Sequence, residues 1–170
     1  MADGQHHRFS VPHVPPPTPL PGPWQVLFAP GWGAPEHTVF PELIDWSHHS
    51  DAAIRHYSGK ATYRRTFSVP PDLTADPQLR IQLDLGDVRD LAVVRVNDRE
   101  LATLWLPPFR VDLGNVVQPG ENTLEVQIVN VWNNRLVGDA ALPAEQRRTF
   151  LLAPTVGSDA PCSRPDCSAP

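Results

Sequence analysis

Lysine is almost absent from this chain. Lys60 is the only one, and arginine supplies the rest of the 14 positive charges. Against 19 Asp and Glu the formal net charge is −5, with a pI near 5.7. A chain without basic excess lacks the electrostatic footprint of a nucleic-acid binder, so nucleic acid is excluded as a partner. Long apolar runs are missing too: none approaches the ~20 residues that a membrane helix needs. The opening residues Met1-Ala2-Asp3-Gly4-Gln5-His6-His7 show no basic segment leading into an apolar core. No secretory signal is read there, and a cytoplasmic location is the default expectation. Cysteine is limited to Cys162 and Cys167 near the C-terminus. Two isolated thiols make neither a metal nor a catalytic signature, although they would form a local disulfide in an exported protein. No serine-nucleophile motif, phosphate loop or dinucleotide fingerprint is present.

Proline, in contrast, is abundant at 21 of 170 residues, and it is unevenly placed. Val11 to Pro23 is so rich in proline that it can be neither helix nor central strand, because proline lacks the donor and pushes its predecessor to extended geometry. Residues 1–22 therefore read as a Pro-rich arm or linker, a spacer more than a peptide ligand. Residues 153–170 are polar and aperiodic and read as a flexible tail. Between them, residues 23–152 form one folding unit, as the length implies.

That unit reads as strands. From Ala61 to Val69, Tyr63, Phe67 and Val69 share one face while Thr62, Arg64, Thr66 and Ser68 share the other. Arg65 breaks the apolar face and marks a functional or paired position. Leu79, Ile81, Leu83 and Leu85 alternate inward. Leu91 to Val96 is a denser apolar run, as expected of a strand buried on both faces. Asn97-Asp98 turns the chain into Glu100–Trp105, and Pro107-Pro108 precedes a short strand at Phe109–Leu113. After the Gln118–Asn122 turn, Leu124, Val126 and Ile128 share a face of a strand reaching Trp132. Residues Ala144 to Arg148 predict one helical turn, and no other segment has helical periodicity. Short strands joined by Pro, Gly, Asn and Asp turns predict an all-β fold, an antiparallel β-sandwich or jelly roll.

The order of these segments carries a resemblance. Tyr57-Ser58-Gly59 through Tyr63-Arg64 and Phe67 resembles the opening of jelly-roll domains attached to glycoside hydrolases. Leu83-Asp84-Leu85-Gly86-Asp87-Val88, then Ala92 to Asn97, is similar to a later segment of the same modules. Leu104 to Leu113 and Pro119 to Val126 follow in order. Asn130-Val131-Trp132-Asn133-Asn134-Arg135-Leu136-Val137-Gly138-Asp139 resembles the ending of such modules in large bacterial α-L-rhamnosidases of glycoside hydrolase family 106. More loosely, the whole is similar to the sugar-binding domain of family 2 enzymes. Asp98 departs from the pattern, which usually has glycine in that hairpin turn. The resemblance implies a galactose-binding-like jelly roll, an accessory module whose catalytic carboxylates lie on a separate catalytic glycoside hydrolase domain. It carries over Gly59, Tyr63, Asn97, Trp105, Asn133, Arg135 and Asp139 as motif residues, and no catalytic residue.

Sugar binding needs an aromatic plate for a pyranose face and planar polar groups for its hydroxyls. Trp32, Trp46, Tyr57, Trp105 and Trp132 supply candidate plates, and Asn133, Asn134, Arg135 and Asp139 supply polar groups, for an oligo- or polysaccharide partner. Two readings stay open: Trp105 and Trp132 either contact ligand or end their strands packed inside the sandwich, and Arg135 with Asp139 either binds or forms a structural ion pair. A self-contained glycosidase would need two opposed carboxyl groups. Glu36, Glu42, Asp45, Asp51, Asp84, Asp87 and Asp90 are available, but spacing does not pair them. His37, His48, His49 and His56 have no recognised zinc spacing. No cofactor is required, while a structural calcium is compatible with jelly rolls of this kind and its ligands are not legible. Besides an accessory module, two alternatives remain: a small stand-alone glycoside hydrolase, and a structural domain that binds no sugar.

Overall fold

The computed structural model describes residues 16–75 and 79–149. The expectations for residues 1–15 and for the tail at 153–170, its cysteines included, lie outside the described residues. Eight strands form within them: β1 (Trp24–Phe28), β2 (His37–Phe40), β3 (Lys60–Val69), β4 (Gln82–Asp84), β5 (Leu91–Val96), β6 (Arg99–Leu104), β7 (Arg110–Asp112) and β8 (Gly120–Val129). Six build one antiparallel sheet in the order β2-β1-β3-β8-β5-β6, and β4 pairs with β7 in a second. The expected all-β sandwich is what forms.

Alternation decides what goes between the layers. Trp24, Val26 and Phe28 of β1, Ala61, Tyr63 and Val69 of β3, Ala92, Val94 and Val96 of β5, and Leu124 and Val126 of β8 are buried. Val111 and Leu113 complete the core from the opposite side, with Ile81 and Leu83 partly buried against it. Arg65 is paired: its guanidinium lies 5.0 Å from the Trp24 ring centroid and its Nη1 donates to the Pro21 carbonyl. The Asn97-Asp98 turn forms with φ of 49° and 62°, the left-handed conformations that Asn and Asp tolerate best.

Two expectations need correction. β5 is not buried on both faces, because Arg95 is exposed on the outer one. There it belongs to a row of alternating charge across four strands: Arg64 of β3 meets Glu125 of β8 at 2.7 Å, Glu125 meets Arg95 at 3.4 Å, and Arg95 meets Glu100 of β6 at 2.9 Å. Such exposed pairs contribute at most ~1 kcal/mol each, and their service is to keep this face in water. Leu79 does not turn inward either; it is exposed.

Among the described residues three short α-helices accompany the strands: α1 (Ala52–Arg55) and α2 (Pro71–Ala75) between them, and α3 (Asn133–Ala140) after the last. The turn expected after Pro143 is a single 3-10 turn at Ala144–Gln146. Helix α3 lies so close to the end of α1 that a Cβ added at Gly138 would sit 2.6 Å from His56 Cβ and 2.7 Å from its Cγ. Alanine should improve helix propensity there by ~1 kcal/mol, yet the overlap costs more. Gly138→Ala is expected to lose roughly 1–3 kcal/mol in urea denaturation. His56→Gly in the same chain should recover part of the loss, and an unchanged midpoint for Gly138→Ala would contradict this packing.

Candidate functional site

The register brings five chain segments to one end of the large sheet. Phe28 pairs with Ala61, Ala61 with Ile128, Ile128 with Ala92, and Ala92 with Leu104. Beyond this row β1, β8 and β6 end and β3 and β5 begin, so the segments carrying Trp32, Trp132 and Trp105 share one rim. They are stitched together by hydrogen bonds. Ala29 N donates to Lys60 O at 3.1 Å and Asn130 N to Gly59 O at 3.2 Å. The Asn130 side chain accepts from Gly59 N at 2.8 Å and donates to Tyr57 O at 3.2 Å. Asp90 Oδ2 accepts from Val131 N at 2.9 Å.

On this rim Trp32 and Trp132 meet edge to face, with centroids 5.8 Å apart and planes at 79°. Both stay open to solvent, Trp32 at 41% and Trp132 at 55% relative exposure. Trp105 is more open still, at 68%. Of the two readings left open for Trp105 and Trp132, the one in which they pack inside the sandwich is excluded by these exposures.

Behind the tryptophan pair lies a network of charged hydrogen bonds centred on the buried Arg135 and Asp139. Arg135 Nη2 donates to Trp32 O at 2.7 Å, and Arg148 Nη1 donates to Gly31 O at 2.9 Å. Asp139 Oδ2 accepts from Arg148 N at 2.9 Å, and from both Thr149 N and Thr149 Oγ1 at 2.7 Å. Its Oδ1 lies 3.5 Å from Arg135 Nη1. The Arg135 backbone N–H is capped by Ser58 Oγ at 3.0 Å. Burial pushes the Asp139 carboxyl up, but the Thr149 and Arg148 hydrogen bonds and the Arg135 charge outweigh it and hold the pKa below 3.8. The loop bearing Trp32 is therefore fastened by two arginines, and Asp139 touches both residues. Gly33 completes the fit. Its φ of +100° suits glycine, and an added Cβ would stand 3.1 Å from Arg135 Nη2.

The candidate residues thus divide. Trp32, Trp105 and Trp132 are on the rim, with Asn133 exposed and Asn134 half-buried beside the last. Arg135 and Asp139 are buried, and Arg135 Nη2 and Asp139 Oδ2 are bonded to protein, while Arg135 Nε and Asp139 Oδ1 lack hydrogen-bond partners among the described residues. At 9% and 2% exposure both residues stand behind the rim and not on it. Trp46 and Tyr57 must be withdrawn as contact plates. Tyr57 is 0% exposed, its hydroxyl donating to Lys60 O at 2.7 Å, and Trp46 is buried with Nε1 donating to Tyr63 Oη at 2.6 Å. The same burial pushes the Tyr63 hydroxyl up to about 12. Motif residue Asn97 is structural as well: its amide donates to Val116 O and Asn122 Oδ1. Sequence reasoning missed Ser58, Asn130, Arg148 and Thr149. Nothing local marks them, since their roles exist only through partners distant in the chain.

Four of the candidate carboxylates, Asp45, Asp51, Asp84 and Asp87, have structural duties. Asp45 accepts from Ser47 N and Oγ, and Asp51 from Ala53 N. Asp84 accepts from Gly86 N and from Arg110 Nε, while Asp87 pairs with Arg89. His49 stacks on Phe40. Among the described residues no three His, Cys, Asp or Glu side chains converge to hold a metal ion, so the calcium expectation finds no such ligand set there. No helix of the described residues is long and apolar enough to cross a membrane.

Comparison with known proteins places this architecture. A protein of Formosa agariphila named "Putative beta-glucuronidase" is 40% identical over 145 residues, 85% of this chain but 12% of its own length. A beta-glucuronidase of Paenibacillus borealis is 37% identical over 103 residues, covering 59% of this chain and 16% of that protein. The chain therefore spans a small fraction of the length of these curated relatives. Among solved structures, a rhamnosidase from Novosphingobium sp. PP1Y superimposes with a TM-score of 0.75 at 36% identity, covering 91% of this chain and 14% of that one. A beta-glucuronidase of Ruminococcus gnavus follows the fold with a TM-score of 0.55 at 26% identity over 65% of this chain and 21% of that one. Residues 38–154 match the family described as glycosyl hydrolase 2 galactose-binding domain-like, and the chain belongs to that family.

Proposed function

We propose that this chain is a non-catalytic, carbohydrate-binding accessory module of a larger glycoside hydrolase, and that saccharides rest on the rim at Trp32 and Trp132. One observation carries the reading: an exposed edge-to-face tryptophan pair is held from behind by a buried Arg135–Asp139 network. Exposed indoles lose favourable contact with neither layer of the sandwich when a sugar arrives, and an indole offers both an apolar face and a polar edge. The network fixes the plate before binding, which reduces the ordering cost of association. The side-chain amides of Asn133 and Asn134 stand next to Trp132 and are suited to hydroxyl groups. Hydrolysis is assigned to another domain. The relatives are several times longer than this chain, and Asp45, Asp51, Asp84 and Asp90 are committed to local structure.

Affinity electrophoresis through gels containing rhamnogalacturonan or glucuronoxylan tests this. The chain should be retarded in at least one gel, and Trp32→Ala should run unretarded with an unchanged melting temperature. Turnover of aryl rhamnosides or glucuronides that survives purification and disappears on one carboxylate substitution would overturn the proposal in favour of a stand-alone hydrolase. Absence of retardation in both gels would favour the purely structural domain.

A further inference from the structure

We propose that the rim takes an extended polysaccharide chain laid across the strand ends, with Trp105 as a second contact plate set apart from the Trp32–Trp132 pair. The inference rests on the saccharide reading above and adds to it the class of ligand. Trp105 follows Leu104, which pairs with Ala92, and Ala92 pairs with Ile128 of the strand that leads to Trp132. β6 and β8 are thus two strand spacings apart, ~10 Å. The Trp32 ring lies against that of Trp132, 5.8 Å between centroids, so the rim carries two mounts, the Trp32–Trp132 pair and Trp105, on strands roughly 10 Å apart. A single pyranose cannot bridge that separation, whereas a polymer can lie along it.

The mounting of Trp105 supports the same conclusion. Trp105 and Leu106 are 68% and 61% exposed, and Pro107 and Pro108 are exposed after them. Runs of exposed apolar residues are errors of construction unless they contact something. The two prolines restrict φ, and the loop is tied down immediately afterwards. Phe109 is buried, Leu85 N donates to Phe109 O at 2.9 Å, and Arg110 N donates to Pro108 O at 2.9 Å. An indole held on so restricted a loop loses little freedom when a ligand covers it. Between the plates the rim presents polar groups, with Asp90 bonded to Val131 N and Asn133 exposed. The hollow lined by Gln25, Val26, Leu27, His37, Thr38 and Val39 lies at the β1–β2 side and includes none of the tryptophans. Open, separated plates suit the middle of a chain, whereas recognition of a chain end would call for an enclosing pocket.

The test is calorimetric titration of the full chain with disaccharide, tetrasaccharide and hexasaccharide fragments of rhamnogalacturonan and of glucuronoxylan. In a series that binds, the hexasaccharide should bind about tenfold more tightly than the disaccharide. Trp105→Ala should abolish that gain while leaving disaccharide affinity and melting temperature unchanged, and Trp105→Tyr should retain most of it. Equal affinity at all lengths, or a length gain that survives Trp105→Ala, overturns the extended-chain inference and leaves the Trp32–Trp132 site standing. If no fragment of either series binds, the saccharide reading falls and this inference falls with it, leaving the exposed loop to a protein neighbour.

Discussion

Tyr57→Ala should cost this fold roughly 3–5 kcal/mol, the range for truncating a large buried aromatic side chain. Tyr57 sits at the centre of a cluster of rings, 4.7 Å from Phe28 and 5.5 Å from Trp46 between centroids. Its hydroxyl also accepts from Ala29 N at 3.1 Å and donates to Lys60 O, joining the start of the Trp32 loop to β3. Removing the ring empties the core and leaves Ala29 N and Lys60 O with only their bond to each other. Tyr57→Phe keeps the ring and loses only the hydroxyl, whose two partners stay bonded to each other, so about 0.5–1.5 kcal/mol is expected. Domains of this size are stable by roughly 5–15 kcal/mol, which makes the alanine variant marginal. Urea denaturation of both variants measures the difference. A Tyr57→Ala chain as stable as the parent, deficient only toward glycans, would return Tyr57 to the ligand surface. Trp132→Ala is the counterpart, with an expected stability change within ~0.5 kcal/mol because its ring is exposed.

Asp139→Ala is expected to be nearly as damaging, at about 3–5 kcal/mol, because it leaves the buried Arg135 guanidinium without its counter-charge. The carboxylate also accepts three hydrogen bonds from Arg148 and Thr149, so the residues that fasten Gly31 and Trp32 are released together. Two consequences are measurable: a lower denaturation midpoint, and weakened glycan retention in a variant that never touches glycan. Asp139→Asn keeps the shape and some acceptor capacity, and should lie between parent and alanine. The pH dependence has a defined sign. The folded carboxyl titrates below its ordinary 3.8, so its stabilisation is fully present above about pH 4 and is lost as pH falls through the lower, folded value. Parent stability relative to Asp139→Asn should be level from neutral to mildly acidic pH and should converge on the variant under stronger acid. Convergence on raising the pH instead would contradict the network.

The strands were legible because their signal is local. Alternation along β3 and β8 separates two faces without knowledge of any partner, and Asn97-Asp98 marks a hairpin by conformational tolerance alone. Helix α3 was invisible for a physical reason. The face it buries consists of Arg135, Gly138 and Asp139, so apolar residues never mark a helical period. Polar burial of that sort is satisfied by Ser58, Trp32, Arg148 and Thr149, all remote from the helix or beyond its end. The aromatic residues failed in the same way. Trp46 and Trp132 are the same residue type in segments of similar composition, yet one is 7% exposed and the other 55%. What separates them is whether a ring meets Tyr63 in the interior or Trp32 at the rim, and this is decided by chain topology. Arg135 and Asp139 were recognised as a motif, but their task of holding a loop instead of a ligand required the distances.

The most direct measurement follows the five indole N–H resonances in a nitrogen-correlated NMR spectrum as rhamnogalacturonan or glucuronoxylan fragments are added. Trp32, Trp105 and Trp132 should shift with saturation, while Trp24 and Trp46, at 5% and 7% exposure, should stay in place. Binding that moves none of the three rim indoles, or that moves only the two core ones, would contradict the account.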